Sequence, residues 1–207
     1  MKKRRNTLTF SFALLLAMAF ASVSLLPEIG SARTETKNLA IGAKAENFSL
    51  PDADGKQRSF NELKGKKGTV VIFVSARCPV SDAYAERMSK LAADYKSKDV
   101  NVIGINSNAP EPTDEIKKYN DEKLSFPVLI DKNNVIADKF GATVTPETYF
   151  FDAGGKLVYH GRIDNDKAGT SITASDLRDS LEATLSGKPI AKSEAPAFGC
   201  SIKRATK

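Results

Sequence analysis

Residues 69–81 read TVVIFVSARCPVS, and this stretch decides the fold because a strand ends and a helix begins within it. Its first half is apolar and β-branched, which favours a strand buried on both faces of a sheet. A helical pattern starts after Cys78, so the thiol falls at the turn from strand to helix. The unpaired backbone N–H groups and the positive end of the helix dipole favour a thiolate there. Arg77 adds a positive charge beside it in the sequence.

Cys78 is therefore a candidate nucleophile. The thiolate is the reactive form of cysteine, and a site of this kind can lower the pKa from about 8.5 toward the range of about 3.5–7.5. The alternative is that Cys78 is a small buried residue at the end of a strand, which is common for cysteine.

Strands and helices alternate on both sides of this turn. Apolar residues at steps of three and four predict an amphipathic helix after Cys78, and they are Val80, Tyr84, Met88, Leu91 and Tyr95. Other strands are predicted at residues 47–50, 100–105 and 127–130, a β-hairpin at 147–163, and helices at 60–63, 112–124, 135–140 and 175–185. Parallel strands with crossover helices, followed by a hairpin and a last helix, indicate an α/β fold whose central mixed sheet carries helices on both faces.

Residues 1–32 are predicted to be a signal peptide. Residues 1–5 are basic, residues 6–27 carry no charge, and small residues at 30–32 provide a cleavage point. The alternative is an uncleaved membrane anchor, because the apolar run approaches the minimum spanning length of about 17 residues. Both readings predict an exported protein, periplasmic or otherwise extracytoplasmic, which contacts a membrane only if this segment is retained.

The remaining chain is predicted to hold one domain. Residues 33–41 form a flexible leader, residues 42–187 the domain, and residues 188–207 an irregular tail. Four of the 31 lysines and arginines and one of the 25 acidic residues lie in residues 1–32, so the formal net charge falls from +6 to +3 without them. No cluster of basic residues interleaved with aromatics remains, which argues against a nucleic-acid partner.

Cys78 and Cys200 are the only two cysteines. An even number in an oxidising compartment favours pairing. A structural disulfide between them would close a long loop and contribute about 4–5 kcal/mol in the chain-entropy model. A domain of this size does not need such a bond, which favours redox chemistry, but a structural bond or an unpaired tail thiol remains the alternative.

No metal or cofactor site is predicted. A zinc site needs three or four ligands, and His160 is the only histidine, with the cysteines far from it in sequence. The turn at Gly154-Gly155-Lys156 lacks the spacing of a phosphate-binding loop. His160 is expected to be a strand residue that is packed or faces solvent, not a base for Cys78.

Three features resemble the thioredoxin fold, and specifically the exported redoxins of the peroxiredoxin (AhpC/TSA) and thiol–disulfide oxidoreductase superfamily. The first is the strand at residues 71–75 that leads to Cys78-Pro79 at a helix start. The second is Thr145-Pro146 directly before the hairpin, and the third is the hairpin followed by a last helix.

This resemblance covers residues 42–185 and implies a thioredoxin-like fold with Cys78 as the catalytic residue. In such folds the proline before the hairpin follows a cis bond and lies against the active cysteine, which implies this role for Pro146, with Thr145 supporting it. A cis bond before proline costs only about 0.5–1 kcal/mol. Arg77 and Ser75 are further candidate supporting residues.

Two positions depart from the family patterns. A Cys-x-x-Cys motif requires a cysteine at position 81, where this chain has Ser81, so Cys78 must act alone or with a distant partner. Peroxiredoxins typically have a proline seven residues and a Thr or Ser three residues before the peroxidatic cysteine. Ser75 meets the second condition, but Val71 stands where the proline is expected.

The resemblance implies a thiol-dependent oxidoreductase, and two reactions are open: peroxiredoxin-like reduction of a peroxide, which is narrowly favoured, and thiol–disulfide exchange with a protein partner or reductant. Cys200, on a mobile tail, is the candidate resolving residue. It would attack the oxidised Cys78 to form a releasable disulfide. The alternative from another class is a non-catalytic binding or scaffold protein with a structural Cys78–Cys200 disulfide.

Overall fold

Strands and helices alternate through residues 39–206, the part of the chain that this computed structural model describes. The predicted signal peptide and residues 33–38 of the predicted leader lie outside this range. The strands are β1 (Ser49–Pro51), β2 (Gln57–Ser59), β3 (Gly68–Val74), β4 (Val100–Asn106), β5 (Val128–Ile130), β6 (Val144–Thr145), β7 (Glu147–Asp152), β8 (Leu157–Gly161), β9 (Glu194–Ala195) and β10 (Cys200–Ser201). The helices are α1 (Phe60–Leu63), α2 (Pro79–Lys96), α3 (Thr113–Lys123), α4 (Val135–Phe140) and α5 (Asp176–Leu185).

The central sheet is mixed, as predicted. Its strand order is β5-β4-β3-β7-β8-β9, with β3 in the interior. The pairs β3–β4 and β4–β5 are parallel, whereas β7 is antiparallel to both β3 and β8. The parallel half therefore comes from strand–helix units and the antiparallel half from the hairpin, which confirms the predicted α/β class.

Alternation along β3 builds a core on each face of the sheet. Val70, Ile72 and Val74 belong to the cluster formed with α2, α3 and α5. Val71 and Phe73 belong to the opposite cluster, which includes residues of α1 and α4. All five side chains are fully buried, because a central strand covered by helices on both sides has no solvent-facing surface.

The C-terminal tail, predicted to be irregular over residues 188–207, contains two short strands, β9 and β10, between stretches without regular secondary structure. β9 adds to the main sheet parallel to β8, and β10 pairs with β6 in a separate two-stranded sheet. Ile202 is buried, and its N–H donates to the carbonyl of Thr143 at 2.9 Å. A strand of two residues is too short to show a periodic pattern, so the packing of the tail on the domain could not be predicted from residue order.

A search of the described residues finds no helix with both the length and the apolar character needed to cross a membrane.

Candidate active site

Cys78 lies at the junction of β3 and α2. It is the N-cap residue of α2, and its Sγ accepts the N–H of Ser81 at 3.3 Å. This places the sulfur against unpaired N–H groups of the first helical turn, where the helix dipole also favours negative charge. Only 2% of the residue is exposed. Cys78 thus has the environment of an activated thiol, but it lies below the surface.

Thr145, directly before Pro146, lies against this sulfur. The peptide bond between them is cis, the conformation that the resemblance implies. The Sγ of Cys78 is 3.2 Å from the carbonyl oxygen of Thr145, to which the thiol can donate. Thr145 is fully buried, and its hydroxyl has no hydrogen-bond partner that meets normal geometry.

Cys200 is brought to the same place by the tail. β10 pairs with β6 so that Cys200 is directly opposite Thr145. The thiol and backbone of Cys200 lie close enough to the Cys78 sulfur to act on its pKa, and the Cys78 thiol acts on the pKa of Cys200 in turn. Both cysteines are free thiols, and Cys200 is the more exposed of the two.

The two thiols have opposite pKa shifts. Burial by itself would raise the pKa of Cys78. The nearby side chains of Cys200 and Thr145 and the backbone of Ser81 and Cys200 outweigh this effect and hold the pKa of Cys78 below its usual value. Burial raises the pKa of Cys200, as do the nearby Cys78 side chain and the negative charge of that thiolate. Cys78 is therefore the more acidic of the two thiols, and a negative charge on the pair is favoured there.

Arg77 does not take part in this pair, contrary to the sequence-based expectation. Its guanidinium forms a bidentate ion pair with Glu115 of α3, with an Nη2–Oε2 distance of 2.6 Å, and its side chain is about half exposed. Adjacency in sequence does not bring the charge to the thiol, because the side chain at the helix start turns toward α3. The contributions that lower the pKa of Cys78 come from neighbouring polar groups and not from Arg77.

Ser75 contacts a buried carboxylate that the sequence analysis missed. Its hydroxyl donates to Glu111, which also accepts the N–H of Ala76 at 2.9 Å and the side-chain amide of Asn106 at 2.7 Å. Glu111 is only 3% exposed. Glu111 lies in a loop of mainly polar residues. A buried loop of this composition has the same sequence pattern as an exposed one, so the burial of Glu111 could not be predicted.

His160 contacts Glu147 and Tyr149. Its Nε2 is 2.7 Å from Oε1 of Glu147, and its ring stacks on Tyr149 with centroids 4.4 Å apart. Burial would raise the pKa of Glu147, but the bond from His160 and the N–H groups of Thr143 and Val144 lower it. Within residues 39–206, no group of three or more His, Cys, Asp or Glu side chains is arranged to hold a metal ion.

Sequence comparison relates this chain to a known family and to curated proteins. The AhpC/TSA family profile matches residues 41–160. A protein from Bacillus thuringiensis named thiol-disulfide oxidoreductase ResA is 31% identical over 156 residues, which covers 75% of this chain and 87% of that protein. The matches to the first curated relatives span from 65% to 87% of their lengths.

Structure comparison finds the same fold in solved structures. An uncharacterised conserved protein from Geobacillus kaustophilus is 30% identical, with a TM-score of 0.77 and coverage of 83% of this chain and 95% of that one. A protein from Chlorobium tepidum described as a thiol:disulfide interchange protein DsbE is 23% identical, with a TM-score of 0.59 and coverage of 72% and 99%. The second likeness bears on the fold alone.

Proposed function

The chain belongs to the AhpC/TSA family and is a thiol-dependent oxidoreductase with a thioredoxin-like fold, and we propose that Cys78 and Cys200 are its redox-active pair. The observation that carries this proposal is the closeness of the two thiols at the start of α2: Cys200 is paired opposite Thr145, whose carbonyl oxygen is 3.2 Å from the Cys78 sulfur, and the thiols shift each other's pKa. A thiolate that lies close to a second thiol is the arrangement that forms and releases a disulfide.

The proposed reaction is thiol–disulfide exchange with a protein partner. The Cys78 thiolate attacks one sulfur of the partner's disulfide, and the other sulfur leaves as a thiolate that takes up a proton. Cys200 then loses its proton and attacks the Cys78 sulfur, which releases the first partner sulfur. The partner gains two electrons and two protons, and the enzyme retains a Cys78–Cys200 disulfide.

Cys200 takes the place of the second cysteine of a Cys-x-x-Cys motif. Ser81 occupies that position and is fully buried, with its hydroxyl accepting the N–H of Ser75 at 3.3 Å. It therefore has a structural contact but no thiol chemistry. The tail supplies the second sulfur through the pairing of β10 with β6, so the pair is completed by tertiary structure rather than by sequence spacing.

In the disulfide form, exposure determines which sulfur a reducing protein meets, whereas attack by the Cys78 thiolate on a partner's disulfide requires the tail to move off Cys78. Cys78 is almost fully buried, whereas Cys200 is partly exposed. A thiolate on a reducing protein would therefore attack Cys200 in the oxidised enzyme. Cys78 would then leave, and it is the better leaving group because its pKa is the lower of the two.

Reduction of a peroxide is the second candidate, and the burial of Cys78 favours it because a small oxidant needs little space. The thiolate would attack one peroxide oxygen, the other oxygen would leave with a proton, and Cys78 would become a sulfenic acid. Attack by Cys200 on that sulfur would expel water and give the same disulfide. A cellular thiol would have to reduce it again.

The remaining elements of the proposal are export and a protein thiol or disulfide partner. The basic start, the uncharged apolar run and the small residues of residues 1–32 support export. N-terminal sequencing of the protein recovered from outside the cytoplasm tests this. A chain that keeps Met1 and stays in the cytoplasm would contradict it.

Reduction of insulin disulfides by the full protein with dithiothreitol tests the proposed reaction. Cys78→Ser and Cys200→Ser should each abolish activity, and Ser201→Ala should leave it unchanged. Parallel assays with hydrogen peroxide separate the two substrates. Wild-type activity in either cysteine variant on both substrates would overturn the assignment of the pair. An apparent pKa of Cys78 at or above about 8.5 would instead support the non-catalytic alternative.

A further inference from the structure

The loop that follows β4, residues 106–111, contacts the chain on both sides of the thiol pair. At one end, Glu111 accepts hydrogen bonds from the Ser75 hydroxyl and from the N–H groups of Ala76, at 2.9 Å, and Arg77, at 3.4 Å. These residues form the turn that leads directly into Cys78. The carboxylate therefore fixes the backbone from which the nucleophile projects.

At its other end, this loop holds the tail. The Oδ1 of Asn108 accepts the N–H of Lys203 at 3.0 Å, and the N–H of Ala109 donates to the carbonyl of Lys203, also at 3.0 Å. Lys203 is three residues beyond Cys200. The two hydrogen bonds attach the segment directly after β10 to the loop and so fix the direction of the strand that carries Cys200.

The two ends of the loop are joined by internal hydrogen bonds. Asn106 donates its side-chain amide to Glu111 at 2.7 Å and accepts the N–H of Asn108 at 3.0 Å through Oδ1. The N–H of Glu111 donates to the carbonyl of Asn108 at 3.1 Å. All three side chains are less than 5% exposed. A shift at one end is therefore transmitted to the other, since buried polar groups keep their partners.

We propose that Asn108 is a positioning residue that helps to hold Cys200 against Cys78, and that the 106–111 loop, together with the pairing of β10 with β6, sets the distance between them. This rests on the proposed redox role of the pair. Cys200 is far from Cys78 in sequence, so a free tail would present its thiol at a low effective concentration. Fixing both segments to one buried loop raises that concentration without any contact between the loop and either sulfur.

The proposal differs from a general contribution to stability. The N–H of Lys203 belongs to an exposed residue and can bond to water when Asn108 is replaced, so the fold should tolerate the change. Replacing Asn108 should instead change the position of the tail, and with it the effective concentration of the Cys200 thiol. Asn101 provides a matched control at the other end of β4, where its amide donates to the carbonyl of Leu63 at 2.8 Å, far along the strand from the thiols.

The test is the equilibrium between the full protein and a glutathione redox buffer, which gives the effective concentration of the two thiols. Asn108→Leu should lower it about fivefold, the equilibrium effect of one lost hydrogen bond. If Asn108→Leu does not fold, the same measurement is made on Asn108→Ala. Asn101→Leu should lower the melting temperature but leave the effective concentration within about twofold.

The outcomes are distinct. An unchanged effective concentration in both Asn108 variants, or an equal fall in Asn101→Leu, would overturn the positioning role. Absence of a Cys78–Cys200 disulfide in the wild-type protein at any buffer ratio would instead overturn the proposed function of the pair, and with it the basis of this inference.

Discussion

Cys200 lies directly opposite Thr145 in the antiparallel pairing of β10 with β6. Thr145 precedes the cis bond to Pro146 and contributes its carbonyl oxygen 3.2 Å from the Cys78 sulfur. One strand register therefore brings together both thiols and the proline. Because a slip of one residue would turn Cys200 to the other face of the pair, this register fixes which side chain meets Cys78.

Gly199 is predicted to be essential for that register. A Cβ at this position would lie 1.9 Å from the carbonyl oxygen of Thr145, so even alanine forces β10 away from β6. Gly199→Ala should lower the effective concentration of the thiol pair by at least about tenfold and speed alkylation of the uncovered Cys78. Gly154→Ala, in the exposed hairpin turn, is the control. Equal alkylation rates in all three proteins would show that the tail does not cover the thiol.

The Cys200 side chain is predicted to help keep Cys78 ionised. Burial raises the pKa of Cys78, and the nearby Cys200 side chain has the largest of the effects that oppose it. Cys200→Ala removes this thiol, so the pKa of Cys78 should rise toward the usual value of about 8.5. The rate of iodoacetamide labelling against pH measures this shift. Ser201→Ala should leave the profile in place, and a profile that Cys200→Ala does not move would contradict the account.

Glu147 is predicted to stabilise the fold in a pH-dependent way. Burial opposes ionisation, but the bonds from His160, Thr143 and Val144 lower the pKa of Glu147. Its contribution is therefore complete above the unfolded pKa of about 4.3 and is lost as the pH falls through the lower folded value. Glu147→Gln should cost about 1–3 kcal/mol at neutral pH.

Denaturant unfolding at several pH values measures this effect. The difference between the wild type and Glu147→Gln should shrink as the pH falls below about 4.3. Glu62→Gln, at an exposed carboxylate paired with Arg58, should change the free energy of unfolding by no more than about 1 kcal/mol. A difference at Glu147 that is independent of pH would show that its charge does not contribute.

The two cysteine variants are predicted to capture different species. In Cys78→Ser, the partly exposed Cys200 is first converted to its mixed disulfide with glutathione; the thiolate of a small-protein reductant with one active cysteine, such as a single-cysteine thioredoxin variant, should then attack the Cys200 sulfur, release glutathione and remain bound as a mixed disulfide. In Cys200→Ser, Cys78 should instead accumulate as a sulfenic acid when treated with hydrogen peroxide, because the residue that would resolve it is absent. Mass spectrometry of the intact proteins detects both. Capture of the reductant by Cys200→Ser alone would reverse the proposed roles.

The sequence predicts the fold because the decisive signals are local. The continuous apolar run of β3, the helical stripe from Tyr84 to Tyr95 and the turn at Gly154 each specify an element without reference to the rest of the chain. The position of Cys78 at the start of α2 follows from the same signals. Its environment at the N-cap was therefore accessible from residue order alone.

The strands of the tail and the contacts of the supporting residues could not be predicted from local sequence signals. β9 and β10 form only by pairing with strands already in place, so their two-residue segments carry no pattern of their own. Glu111 is recognisable only once the loop after β4 is folded over the turn before Cys78. Arg77 was expected to act on Cys78 because the two are adjacent in sequence, but its side chain pairs with Glu115 instead.

The central claim is that Cys78 and Cys200 form a reversible disulfide, and the direct measurement is peptide mapping of the mature protein across a glutathione redox titration. The account predicts a single Cys78–Cys200 cross-linked peptide that appears on mild oxidation and disappears on mild reduction, as a two-electron transition. Absence of this peptide at every potential, or a bond that mild reductant does not break, would contradict it.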